Sequence, residues 1–151
     1  MKLEEPKQAF WHPDTRATDH MIANQGTLQS VTPYTGHDGI MVGNGKSLPI
    51  THTGQVMIRF AQSKIQLNNV LMVPDIKKDL LSVSRLTSDY PLKFGFDGNG
   101  FVIKDRMTLR TVAIGRNRKG LYVFNAAAWT FPEKRTTFPL KFEQQIKRVG
   151  T

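Results

Sequence analysis

The string Trp11-His-Pro-Asp-Thr-Arg-Ala-Thr-Asp-His-Met21 holds the residues whose types and spacing point to chemistry, above all Asp14-Thr15-Arg16-Ala17. An aspartate followed by Ser or Thr, then Gly, then Ala suits a tight loop. The hydroxyl braces that loop, and the Gly, having no side chain, lets substrate and a second loop approach. When two such loops meet, their carboxylates share one proton and activate a water for hydrolysis. Three of the four positions are kept here, with Arg16 at the place of the Gly. A cation beside a carboxylate favours its ionised form, whereas one member of a shared-proton pair must stay protonated. Bulk and charge at Arg16 therefore both oppose the reaction. His12, His20, His37 and His52 lie near Asp14, Asp19 and Asp38, but their spacing fits no metal-ligand pattern. No metal and no cofactor is expected. Neither Gly-rich turn is followed by Gly-Lys-Ser/Thr, so no phosphate loop is indicated. With no Cys in the chain, disulfides, thiol nucleophiles and Cys-ligated zinc are excluded.

The elements that must hold this loop read as short strands. Val42-Gly-Asn-Gly45 lies between Gly39–Val42 and Ser47–Thr53, and the Asn44-Gly45 pair predicts a tight hairpin because both residues tolerate positive φ. Beyond it Ile50, His52, Gly54, Val56, Ile58 and Phe60 alternate onto one face. Residues 65–73 read as another strand, closed by Pro74. The period then changes: Ile76, Leu80, Leu81, Val83 and Leu86 predict one short helix over 77–87. A second hairpin, Leu92–Phe96 and Phe101–Lys104, turns at Asp97-Gly-Asn-Gly100. Two further strands, Leu109–Ile114 and Gly120–Phe124, flank the basic loop Gly115-Arg-Asn-Arg-Lys-Gly120. Strands this close together predict an all-β fold, a small barrel or sandwich. The expected core includes Ile40, Ile58, Leu71, Val73, Leu81, Val83 and Ile103, and Trp11 is expected inside it.

The chain has 151 residues, 39% of them hydrophobic, which suits one compact domain. Residues 1–8 read as a polar leader, 9–125 as the barrel and 126–151 as a tail mixing basic and aromatic residues. No apolar run approaches the roughly 18 residues of a membrane span, and no apolar signal-peptide core opens the chain. A cytoplasmic or nuclear setting without membrane contact is expected. The net charge of +9 is unevenly spread. After residue 103, 11 Lys and Arg face only Asp105, Glu133 and Glu143. Arg116, Arg118, Lys119, Lys134, Arg135, Lys147 and Arg148 are thus candidates for a non-specific nucleic-acid or other anion contact. Phe124, Trp129, Phe131, Phe138 and Phe142 offer instead a surface for a protein or peptide partner.

Co-linear blocks extend the first motif. Trp11-x-x-Asp14-Thr-x-Ala-Thr-Asp-His20, Tyr34-Thr-Gly-x-Asp38-x-Ile-x-Val-Gly-Asn-Gly45 and Leu48-Pro-Ile-x-His-x-Gly54 come first. Asn69-Val-Leu-x-Val-Pro74, Asp79-Leu-Leu-Ser-Val-Ser84, Val102-Ile-Lys-Asp105 and Gly115-Arg-x-Arg-x-Gly-Leu-Tyr122 come after them. Together they resemble the protease region of plant Ty1/copia-type retrotransposon Gag-Pol polyproteins, the tobacco TNT type among them. The resemblance implies a retropepsin-like β-barrel that works as a homodimeric aspartic protease in an intact element. It assigns the catalytic aspartate to Asp14, its hydroxyl neighbour to Thr15, and the flap over a bound peptide to Val42, Gly43, Asn44 and Gly45. Arg16 departs from that pattern, as does Phe124–Thr151, which lacks the His and Cys ligands of an integrase continuation. These departures imply a degenerate, domesticated derivative kept as a binding module, a monomer or weak homodimer. The alternative is an active dimeric aspartic endopeptidase.

Overall fold

The computed structural model describes residues 10–60, 63–125 and 147–148. The expected leader, Lys134, Arg135, Trp129, Phe131, Phe138 and Phe142 lie outside the described residues, whereas Phe124, expected with those aromatics on a partner surface, is buried in the core. The described residues are mostly β with one helix. The first half runs through β1 (Phe10–Asp14), β2 (Met21–Ile22), β3 (Gln29–Pro33), β4 (Gly39–Met41), β5 (Ser47–Pro49), β6 (His52–Phe60) and β7 (Ser63–Met72). Then come β8 (Leu80–Ser82), α1 (Val83–Asp89), β9 (Leu92–Phe96), β10 (Gly100–Asp105), β11 (Thr111–Arg118), β12 (Leu121–Asn125) and β13 (Lys147–Arg148). Eleven strands form one sheet in the order β13-β9-β10-β11-β12-β1-β8-β2-β7-β6-β3, while β4 and β5 pair only with each other.

The first strand joins two halves of that sheet. On one side β1 runs antiparallel to β12, Trp11 opposite Phe124. On the other it runs parallel to β8, Asp14 opposite Ser82. Trp11 is buried within the core, together with Phe94, Phe101, Ile103 and Phe124. The alternation expected beyond the first hairpin is present: Gly54, Val56 and Ile58 are buried, Met57 and Arg59 exposed. Val56 faces Leu67 across the β6–β7 pair and Ile58 faces Ile65, so period-two patterning places four apolar side chains on one core.

Of the expected core residues, Ile58, Val73, Leu81, Val83 and Ile103 are buried, whereas Ile40 and Leu71 are only partly so. Ile40 belongs to the separate β4–β5 hairpin. Leu71 loses its place because Asn69 adopts φ 55°, breaking the β7 alternation, and the register slips opposite Gly54 and Val56. Val70 is fully buried instead. An extra residue in one strand shifts every later side chain by one face.

The helix also needs correction. Residues 77–82 are not helical: Leu80–Ser82 is a strand, and the helix covers only Val83–Asp89. Ser82 keeps extended backbone angles and accepts the Arg85 N–H on its hydroxyl, which caps the helix at that point. The Gly115–Gly120 segment is mainly strand, since β11 continues to Arg118. Its two-residue turn is Lys119-Gly120, with φ of 53° and 88°, as a type I′ hairpin requires. At the Asn44-Gly45 hairpin only Gly45 has positive φ, and Gly45 N–H donates to Val42 C=O at 2.9 Å. That arrangement is a type I turn ended by a left-handed glycine.

A lysine at the first I′ position is costly. Left-handed backbone costs an ordinary residue roughly 1 kcal/mol, and Asn less. We expect Lys119→Asn to raise stability by about 0.5–1 kcal/mol, or about 2–4 °C in Tm at this chain length. Thermal unfolding checks this, and an unchanged or lowered Tm contradicts it.

Candidate active site

Asp14 ends β1 and is partly buried. The chain then leaves the sheet, and Asp14 Oδ1 accepts the Arg16 backbone N–H at 2.7 Å. An Asx-type bond of this kind turns the backbone locally without needing glycine. Arg16 indeed has no positive φ, so the loop accommodates its backbone. The side chains of Thr15 and Arg16 are exposed, and Arg16 makes no ion pair among the described residues.

Ser82, at the junction of β8 and α1, fixes the loop. Its hydroxyl donates to Ala17 C=O at 2.7 Å while accepting the Arg85 N–H at 3.0 Å. Its own N–H donates to His20 Nδ1 at 2.9 Å. Arg85 reaches back from α1 to Asp19 Oδ1 at 2.8 Å, and the Thr18 hydroxyl donates to Asp19 Oδ2 at 3.0 Å. Three points of the loop, Ala17, Asp19 and His20, are thus tied to one strand–helix junction, and these ties hold the chain just beyond Asp14 in place.

His20 is almost completely inaccessible. Because Nδ1 accepts a hydrogen bond, Nε2 carries the proton, and Nε2 has no hydrogen-bond partner among the described residues. Burial is the main cause that lowers its pKa from 6.5 to about 4. The Arg85 charge adds to the effect, and Asp89 and Asp19 oppose it. His12 points to the other side of β1, where its Nδ1 donates to Tyr122 C=O at 2.9 Å. Its pKa is lowered, chiefly by burial. Asp79 accepts the Ala23 N–H at 3.0 Å, yet burial raises its pKa. Among the described residues no group of three or more His, Cys, Asp or Glu side chains is placed to hold a metal.

Val42, Gly43, Asn44 and Gly45 form the tip of the β4–β5 hairpin, with Asn44 Oδ1 accepting the Lys46 N–H at 2.9 Å. Met41 stands beside it, 69% exposed. At the hairpin's base the Tyr34 hydroxyl donates to Asp38, which raises the Tyr34 pKa. The two-stranded hairpin is separate from the main sheet.

The basic candidates do not converge on this loop. Arg116 and Arg118 alternate along β11 and are exposed, and Lys119 occupies the turn. Lys147 and Arg148 lie in β13, their backbones paired with Phe96 and Gly95 of β9. Sequence reading missed Ser82, though a serine three residues before Arg85 and just ahead of Val83 and Leu86 is an N-cap signal. It also missed that strand register brings Lys93 and Lys104 together, as Lys93 faces Lys104 across the β9–β10 pair.

Residues 11–90 match the family model described as the Pol polyprotein, beta-barrel domain. Two Arabidopsis thaliana relatives are the retrovirus-related Pol polyproteins from transposons RE2 and RE1. Over 118 residues they are 35% and 34% identical to this chain, covering 78% of it. The chain spans 8% of the length of each. No solved structure matches the chain.

Proposed function

Since the chain belongs to the Pol polyprotein β-barrel domain family and is a retrotransposon Pol domain, we propose that it is an aspartic-protease-like barrel, impaired by Arg16 and serving as a binding module. The observation that carries this reading is an exposed arginine at the one position of the loop where a second loop must come close. Its N–H already occupies Asp14 Oδ1. Two such loops face to face bring two guanidinium groups near one axis, and like charges about 4 Å apart repel by about 1–4 kcal/mol at exposed sites. A monomer or weak homodimer at micromolar concentration is the expected result. The exposed β4–β5 hairpin suits capture of a peptide or protein segment, in a cytoplasmic or nuclear setting.

The second reading is an active homodimeric aspartic endopeptidase. It is favoured by Asp14 and Thr15 being retained and by the Ser82 bonds that hold the loop. Cleavage of an unstructured peptide at pH 4–6, with and without pepstatin, separates the two. We expect the native chain to cleave no faster than Asp14→Asn, and Arg16→Gly to cleave faster than both. Native cleavage that pepstatin blocks and Asp14→Asn abolishes would establish the endopeptidase. Light scattering on the same samples reads the dimer directly, and a tight, salt-insensitive dimer contradicts the first reading.

A further inference from the structure

The β11–β12 hairpin ends in a cluster of cations, with Arg116, Arg118 and Lys119 all exposed. Arg116 and Arg118 lie two residues apart on β11, about 7 Å, and so project to the same side of the strand. Arg118 faces Leu121 in the last pair before the turn, and Lys119 with Gly120 forms the turn itself. None of the three makes an ion pair among the described residues, where the ion pair is Arg85–Asp19. From Thr111 to Asn125 the hairpin contains no Asp or Glu.

The neighbouring turn leaves these charges uncompensated. The Asn117 N–H donates to Asn99 C=O at 3.0 Å, so the turn between β9 and β10 stands beside this hairpin end. Its carboxylate, Asp97, is committed inward. Oδ1 accepts the Asn99 and Gly100 N–H groups at 2.8 and 3.1 Å, and Oδ2 is buried. Asp105 lies at the far end of β10. A Cβ built on Gly98 or Gly120 would meet nothing within 4 Å, so both turns are open to an approaching ligand. Lys119 supplies an independent observation. It is held at φ 53°, where Asn would fit with less strain, and its exposed side chain makes no contact that offsets the cost. A cation placed against the local backbone preference points to a role outside folding.

We propose that this hairpin end binds the phosphates of a nucleic-acid strand without regard to base sequence. Three unpaired cations within four residues suit adjacent phosphates. Stacking on bases is not part of the contact, because Tyr122, the aromatic residue next to the turn, is engaged elsewhere. Its hydroxyl donates to Asp97 C=O at 2.9 Å, and its ring centroid lies 4.8 Å from that of Phe96. The site is confined to the exposed end of the hairpin, since Val102, nearer the middle of the sheet, is fully buried. It does not involve Asp14 and stands independently of whether that loop retains catalysis.

The test is fluorescence anisotropy of the full chain with two labelled 20-base-pair DNA duplexes of unrelated sequence, between about 50 and 200 mM salt. Each phosphate contact adds about 0.9 to the steepness of log K against log salt, so three add roughly 2.7. The double variant Arg116→Gln/Arg118→Gln should lower the steepness by about 1.8 and weaken binding at the lower salt at least about 10-fold. Lys119→Asn should lower it by about 0.9 and weaken binding about 3-fold or more, with Tm at or above the native value. Weaker binding by a variant that folds no less firmly separates phosphate contact from loss of fold. The control Arg59→Gln/Lys64→Gln alters an exposed cross-strand pair on the β6–β7 hairpin and should change affinity less than about 2-fold. Both duplexes should bind equally. The proposal is overturned by no binding at the lower salt, by native-like binding of the double variant or of Lys119→Asn, or by equal loss in the control. Unequal binding of the two sequences overturns it too, as does polyglutamate displacing the duplex at equal charge concentration.

Discussion

Gly115→Ala should destabilise the domain by about 3 kcal/mol or more, lowering Tm by about 10 °C. A Cβ built on Gly115 would stand 2.0 Å from Phe101 Cε1, 2.2 Å from Phe101 Cζ and 2.8 Å from Val123 O. No real pair of atoms tolerates those separations, so the phenyl ring or the strand has to move. The ring has nowhere to go: Phe101 is fully buried. Its centroid lies 6.0 Å from that of Phe94, 5.7 Å from Phe96 and 6.1 Å, edge-on, from Tyr122. Moving it would disturb the whole aromatic group, and moving the strand would break its pairing with β12. Against a total stability of about 5–15 kcal/mol, such a loss is a large share. Urea unfolding of the two proteins measures it. A loss below about 1 kcal/mol would mean that the aromatic group yields more easily than close packing allows.

Acid should weaken the fold through His20. Its folded pKa of about 4 lies below the ordinary 6.5, so between those values the unfolded chain binds a proton that the folded one refuses. The stability contributed by neutral His20 is therefore complete above about pH 6.5. It falls as pH drops through the window and is lost by about pH 4, a difference of roughly 3 kcal/mol. Protonation also removes the acceptor that His20 Nδ1 offers to Ser82 N–H, so the loop bearing Asp14 loosens first. Asp79, whose pKa is raised, contributes with the opposite sign and partly offsets the loss. The experiment is the difference in unfolding free energy between the native chain and His20→Asn at pH 7 and pH 4. We expect the native advantage at pH 7 to shrink by about 2–3 kcal/mol at pH 4. An advantage independent of pH would show that His20 is not the group responsible.

Local patterning made much of the sheet legible. Alternation located Val56 and Ile58, and turn residues located the β9–β10 hairpin. The features that sequence concealed depended on partners far along the chain. Leu80–Ser82 reads as helix by period, yet it pairs with β1 nearly seventy positions earlier, and a long-range ladder overrides local propensity. Leu71 has a strand-like setting, but the left-handed turn of the backbone at Asn69 hands its core position to Val70. Lys119 resembles an ordinary loop lysine, and nothing in its type announces a left-handed backbone. In the candidate site, Asp14, Thr15 and Arg16 were readable as residues of a loop. Ser82, the residue that holds that loop, was not, because its three bonds reach Ala17, His20 and Arg85. The pairing of Lys93 with Lys104 needed register, since the two become neighbours only once the β9–β10 ladder is known.

The position of β1 has a consequence for how the molecule is made. Its two neighbours in the sheet lie at Leu80–Ser82 and Leu121–Asn125, so the first strand of this domain cannot be completed until the chain has been read past Phe124. At synthesis rates of about 5–20 residues per second, Trp11 waits roughly 6–20 s for the partner that covers it. During that time the hairpins β6–β7 and β9–β10, whose contacts are local, can form first, and closure of β1 between the two halves comes last. Contacts this distant in sequence slow folding. An apolar strand that stays unpaired meanwhile makes newly synthesised chains open to misassembly and chaperone capture.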